Sequence, residues 1–149
     1  MPSCVKTFVI TAGCYFYVGM GVKQLNIDLL VSLGAMSDGG RRCVIAPGDF
    51  NISADELEES GVLQAIGLSV VRPGNTDITC HLGNGSLIDY VLVTTKHVPF
   101  IYYLIAGNVA PWSPHAGRRF TFRTKISSIC VIEVRRPKTF VEVVTDCTK

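Results

Sequence analysis

Asp49, Asn51, Asp89 and His115 are the residues of this chain whose types and spacing could do chemistry together. Asp49 and Asn51 stand in "GDFN", directly after the apolar run "CVIA" and a Pro-Gly turn. A carboxylate two residues from a carboxamide at the mouth of a buried strand can hold a water or a phosphate beside a divalent cation. Pro-Gly followed by Asp and Asn is also ordinary turn material, so this piece alone is modestly specific. Asp89 lies in "SLIDYVLV", a run of strand formers, where an acid must be desolvated and needs a partner. His115, in the proline-rich loop "WSPHAG", follows 26 residues later, room for one intervening apolar segment and a return. An Asp that accepts a hydrogen bond from a histidine fixes its tautomer and raises its basicity. The bland alternative for Asp89 is an edge-strand acid facing water. His81 and His97 read as turn and surface histidines.

The elements that must position these groups are legible in outline. "KTFVITAGCYFYVG" is rich in β-branched and aromatic residues and reads as one or two strands. In "LNIDLLVSLGAM", Leu25, Leu29, Leu33 and Met36 recur at helical spacing, and "SDGGRR" ends that amphipathic helix. "CVIA" is a short buried strand. Ser53 and Glu56 form a capping box at the start of a second helix, with Leu57 and either Val62 or Leu63 facing inward. "LSVVRPGNTD" is a strand or edge segment ending at a Pro-Gly turn. "DITCHLGNGSLIDYVLVTT" reads as a hairpin turning at "GNGS". "VPFIYYLIAGNV" is a further apolar segment. "RRFTFRTKI" alternates Phe120 and Phe122 against Arg119, Arg123 and Lys125, and "SSICVIEVRR" is a last strand. Helices and strands mixed in this way give an α+β architecture in a single domain, with a core over about residues 7–134 and a tail over 135–149.

Composition narrows the class. The 149 residues are 48% hydrophobic and 17% charged, with a mean hydropathy of +0.34, yet no apolar run approaches the ~18–20 residues of a membrane span. The excess belongs to buried strands or to surface that a partner covers. The net charge is +2, but seven of the 14 basic residues fall between positions 118 and 138 against one acid, Glu133. That cluster reads either as a solvated strand face and tail or as a footprint for phosphate. Six cysteines are scattered singly, which indicates neither zinc nor a disulfide framework and favours a reducing, intracellular compartment, nuclear or cytoplasmic. The apolar stretch behind Lys6 is a poor signal peptide. Asn51-Ile52-Ser53 and Asn84-Gly85-Ser86 match the glycosylation acceptor pattern, which matters only for a secreted chain.

Taken in order, "GDFN", "SLIDYVLV" and "SPH" resemble the second half of the endonuclease/exonuclease/phosphatase superfamily, which includes DNase I, the apurinic-site endonucleases, the inositol polyphosphate phosphatases and the endonucleases of non-LTR retrotransposons. Its pattern there is G-D-x-N, then S-x-I-D-Y-V, then S-D-H before the closing strands. The resemblance covers about residues 7–133. It implies a partial DNase I-like four-layer α/β sandwich and metal-assisted phosphodiester hydrolysis. In that scheme Asp49 activates the attacking water, Asn51 holds water and phosphate, and the Asp89–His115 pair places an imidazole on the phosphoryl oxygens. Magnesium or manganese would be held by Asp49 and Asn51, Tyr17 would take the place of the site tyrosine, and Arg118, Arg119 and Arg123 would steer the backbone of a nucleic acid, DNA ahead of RNA.

Two departures shape the expected function. Pro114 stands where the family has the acid of S-D-H, so a carboxylate is lost near the metal. Only 47 residues precede Gly48, and none supplies the early Asn and Glu of the family's first half. The expectation is half of a two-sheet sandwich whose inner face is apolar because it packs against another sheet, from a missing N-terminal half or a second copy. Impaired or absent turnover follows, and a catalytically inactive nucleic-acid-binding or interaction module is the competing reading.

Overall fold

The computed structural model describes residues 9–107 and 115–122. Its centre is β3 (Cys43–Asp49), whose first four residues are completely buried without alternation. A strand reads this way when both faces of its sheet are covered. β1 (Val9–Thr11) and β2 (Cys14–Tyr15) pair parallel with β3 along one flank. β5 (Asp89–Thr94) pairs antiparallel along the other, and β4 (Leu68–Val71) closes the sheet beyond it.

The break between β1 and β2 has a local cause. Ala12 N–H donates to Ile45 O and Phe16 N–H to Asp49 O, so the odd residues of β3 face this flank. Pro47 faces it too and has no N–H to give, so the ladder lapses opposite it.

One face of the sheet carries the helices. α1 (Gln24–Met36), α2 (Ala54–Glu59) and α3 (Val62–Ile66) cover Val44, Ala46, Tyr90 and Leu92 with Leu30, Leu33, Leu57 and Leu63. The Ser53 hydroxyl accepts from Glu56 N–H, the expected cap of α2. Of the expected stripe on α1 only Leu33 is buried: Leu25, Leu29 and Met36 are exposed, and Asn26 and Leu30 share the inward face with Leu33. Leucines on several sides make periodicity ambiguous, and Gly34 decides the rotation. A Cβ there would lie 2.8 Å from Ile66 Cβ, so Gly34 must be the side that meets α3.

The other face, with Cys43, Ile45, Val91 and Val93, is covered by a second, two-stranded sheet. A 3-10 turn over Thr95–Phe100, which the sequence did not announce, leads into β6 (Ile101–Gly107). β6 pairs antiparallel with β7 (Gly117–Phe122), and Leu104, Phe120 and Phe122 pack down onto the first sheet. The alternation read in "RRFTF" is therefore observed, with Arg119 exposed. The outer edge of β6 is closed by a mimic of a strand: Gly74 N–H donates to Leu104 O, and the Asn75 side chain both accepts from Ala106 N–H and donates to Ala106 O, each at 2.8 Å. Helices, a five-stranded sheet and a two-stranded sheet thus form three layers of a mixed α and β sandwich. The hairpin expected around "GNGS" is reduced to a tight turn with an isolated bridge between Cys80 and Ser86. The strand expected at "SSICVIEVRR" lies outside the described residues.

Candidate active site

The site forms where the two central strands end. Asp49 closes β3 and Asp89 opens β5, and the register sets them directly opposite each other. Strand alternation places both acids on the face shared with Ile45 and Val91, at the open end of the cleft between the sheets. His115, just before β7, bridges Cys80 and brings the second sheet's entry to the same point. Its Nδ1 lies 3.0 and 3.1 Å from the two Asp89 carboxylate oxygens, and its Nε2 lies 3.8 Å from Asp49 Oδ2. An ionised carboxylate only accepts, so Nδ1 carries the proton and donates to Asp89. The distance to Asp49 is too long for a hydrogen bond. Nε2 therefore faces the space beside Asp49.

Protection from solvent is graded across the three side chains: 13% exposed at Asp89, 19% at Asp49 and 29% at His115. Burial pushes the Asp49 carboxyl above its ordinary value, the Asn51 N–H draws it down, the Asp89 charge raises it and His115 lowers it. Two acids and an imidazole, with ligand atoms within 4.8 Å of one another, can hold a metal ion.

Gly48 is required by the approach of β2. A Cβ on it would lie 2.4 Å from Cys14 O. Behind it, Phe50 stacks on Tyr90 at 4.3 Å and meets Phe16 edge-on at 5.1 Å, an apolar floor under the acids. Asn51 adopts a left-handed backbone with φ of 48°, a conformation that Asn tolerates better than most residues. Its N–H donates to Asp49 Oδ1 at 3.1 Å and its Nδ2 to Phe16 O at 2.9 Å. That contact commits the nitrogen end of the amide to the backbone, so Oδ1 is the end presented away from Phe16.

The other predicted residues are placed less closely. Tyr17 is 54% exposed and its N–H donates to Asn26 Oδ1. The register partner of Asp49 is instead Tyr15, 60% exposed and on the same sheet face. Arg119 is exposed on β7. Arg118 pairs with Ala106 in backbone register, while its side chain, Arg123 and Pro114 lie outside what is described. His81 is exposed, and His97 is half-buried with its carrying turn. Burial and neighbouring Lys96 hold the His97 imidazole below its ordinary value. A hollow of about 730 Å³ between the turn after α1, α3 and β4 lies at the opposite end of the sheet and includes none of Asp49, Asp89 or His115.

Two residues that the sequence did not single out support the site. Thr79, fully buried, accepts from both Ile88 N–H and Asp89 N–H. Asn26, fully buried on α1, accepts from Tyr17 N–H and donates to Gly21 O at 2.8 Å. Neither belongs to a motif; a buried Asn amid apolar residues at helical spacing was the available signal for the second.

The donor set fits a divalent cation. Magnesium is commonly held through one or two carboxylates with waters and substrate phosphate completing an oxygen shell, and Asp49 and Asp89 supply such carboxylates.

No family model matches the chain, and no curated protein matches it significantly. Solved structures do. The endonuclease domain of TRAS1, a telomere-specific non-LTR retrotransposon, is similar with a TM-score of 0.55 and 19% identity over 75% of this chain and 56% of that one. The 3'-5' exonuclease NExo from Neisseria meningitidis matches with a TM-score of 0.51 and 17% identity over 76% of this chain and 61% of that one. Cytolethal distending toxin from Actinobacillus actinomycetemcomitans matches with a TM-score of 0.56 and 17% identity over 78% of this chain and 50% of that one. The chain thus spans about half to three fifths of the length of these structures. Over that span, the fold of this chain is that of the DNase I-like endonucleases, exonucleases and phosphatases.

Proposed function

We propose that this chain carries part of a metal-dependent phosphodiesterase site of the endonuclease type, with nucleic acid, DNA ahead of RNA, as its substrate class. The observation that carries this reading is the convergence of Asp49, Asp89 and His115, with the imidazole tied to one acid and open toward the other. Asp49, at the end of β3 and 3.8 Å from the imidazole Nε2, is assigned to orienting the attacking water. The amide oxygen of Asn51, turned away from Phe16, is assigned to fixing the water's direction. His115, braced by Asp89 on Nδ1, presents Nε2 to the phosphoryl oxygens, and in its protonated form donates there as charge builds. A magnesium or manganese ion held through Asp49, with Asp89 beside it, would supply Lewis-acid polarisation of the phosphate. The Asn51 amide nitrogen is held by Phe16 O, which leaves its Oδ1 as the atom that could join Asp49 in holding the ion. Arg118, Arg119 and Arg123 are assigned to the phosphate backbone, Tyr17 and its neighbour Tyr15 to the rim.

Pro114, standing where the resembled family has an acid, supports impaired turnover. The DNase I-like structures it matches extend well beyond it, one of them being NExo bound to a DNA hairpin product. The same substitution favours a second reading, a binding or interaction module that does no chemistry. The apolar sheet face expected to need another half or a second copy is covered, over the described residues, by the chain's own β6–β7 sheet. No helix among the described residues is long and apolar enough to cross a membrane, and the buried, free Cys43 and Cys80 agree with an intracellular place for the protein.

Restoration separates the two readings. Supplying the missing half and changing Pro114→Asp should produce magnesium-dependent nicking of supercoiled plasmid that Asp49→Ala abolishes. A restored protein that nicks nothing, while Asp49→Ala still alters DNA binding, would establish the binding module instead.

A further inference from the structure

Thr79 touches both segments that carry the acid–imidazole pair. Its hydroxyl has one hydrogen to give and two lone pairs to offer, and all three are used. It donates to Ser86 O at 3.3 Å and accepts from Ile88 N–H at 3.1 Å and Asp89 N–H at 3.0 Å. Its backbone adds a link on the other side, because Thr79 O accepts from Ala116 N–H at 2.9 Å, one residue beyond His115. The side chain is fully buried, so water cannot substitute for it.

We propose that Thr79 is the positioning residue of the Asp89–His115 pair: it fixes where β5 begins and where the His115 segment lands, and so sets the Nδ1–carboxylate contact. The inference rests on the reading of Asp89 and His115 as a working pair. Asp89 sits at a strand end, where ladder hydrogen bonds run out, and His115 enters from a different sheet, with its nearest backbone bridge at Cys80. Phe50 N–H also donates to Ile88 O at 2.8 Å and Cys80 bridges His115, but the Thr79 hydroxyl is the group that accepts from both Ile88 and Asp89 while its carbonyl holds Ala116. Valine has the shape of threonine but cannot accept the two amide hydrogens, whereas serine keeps the hydroxyl and loses a methyl.

The test is the tautomer of His115 in the full chain, read by long-range 1H–15N NMR on histidine-labelled protein. Wild type and Thr79→Ser should show a protonated Nδ1 with a downfield-shifted proton. Thr79→Val should lose that signal and show a mixed or Nε2–H population. Thr79→Val matching wild type, or a folded Thr79→Ser that loses the signal, would overturn the inference. Should Thr79→Val not fold, amide hydrogen exchange on wild type decides. Ile88, Asp89 and Ala116 sharing one protection factor within about twofold supports the common anchor, and Ala116 exchanging independently of the other two refutes it. A wild-type chain with no Nδ1–H signal at all would contradict the pairing of Asp89 with His115 itself, a failure distinct from that of Thr79.

Discussion

His115 gives Nδ1 to Asp89 at 3.0 Å and leaves Nε2 3.8 Å from Asp49 Oδ2, so one imidazole spans the two acids that end the central strands. The contact on Nδ1 is a bond and the approach on Nε2 is a gap. That asymmetry suits the proposed division of roles, with Asp89 holding the ring and Asp49 facing a reacting water. In a nicking-competent form of the protein, His115→Ala should lower the rate by about 10²–10⁴, the usual range for a positioned acid or base. Asp89→Asn should lower it by a similar factor with little change in DNA affinity. Plasmid-nicking rates beside filter-binding titrations check this.

Asp49→Asn should stabilise the metal-free chain near neutral pH. Burial and the Asp89 charge raise the folded-state pKa of Asp49 above its ordinary 3.8, so the native state binds its proton more tightly than the unfolded state does. Stability from this group is therefore present at low pH and is lost as pH rises from about 3.8 through the raised value. Asparagine keeps the acceptor for Asn51 N–H and removes the charge. Thermal melts in a chelator across pH 3–8 should show the variant gaining on wild type as pH climbs; a gap that widens toward acid would contradict it.

Gly48→Ala should displace β2. The added methyl would overlap Cys14 O, which is backbone and cannot swing aside, at a cost of about 1–3 kcal/mol. Urea unfolding gives the energy. Amide shifts should change along Cys14–Tyr15 and at Asp49, and stay unchanged in β4.

Asn26→Leu should loosen the loop carrying Tyr17. It leaves the Tyr17 N–H and Gly21 O without their buried partner, about 1–3 kcal/mol for each group. Faster amide exchange at Tyr17, with Leu30 and Leu33 still protected, is the expected pattern.

Asn75→Ala should expose the edge of β6. Its amide pairs with both polar groups of Ala106, and an unblocked edge recruits other strands. Light scattering should show concentration-dependent association in the variant that exceeds wild type.

How much of this was legible in sequence depends on the range of the interaction. "CVIA" and "DYVLV" announced buried strands because strand formers cluster locally, and Ser53 announced its helix because a cap acts over three residues. The meeting of Asp49, Asp89 and His115 was legible because each acid stands at a strand terminus, and the order of "GDFN", "SLIDYVLV" and "SPH" carried information beyond any one piece. What stayed hidden acts across the fold. The face that α1 buries depends on Gly34 meeting Ile66, 32 residues away. The break between β1 and β2 depends on Pro47 in a different strand. Tyr15, rather than Tyr17, adjoins Asp49 because of a parallel register that no local pattern encodes. Thr79 reaches Asp89 across the "GNGS" turn through a backbone amide, which leaves no mark in residue types.

The account turns on one cation-binding hollow formed by Asp49, Asp89 and His115. Stepwise addition of Mn2+ to the 15N-labelled chain tests it most directly, through paramagnetic broadening. The resonances of Asp49, Asp89 and His115 should broaden first, and Asp49→Asn should abolish that selectivity. Broadening centred elsewhere, or unchanged by Asp49→Asn, would contradict the account.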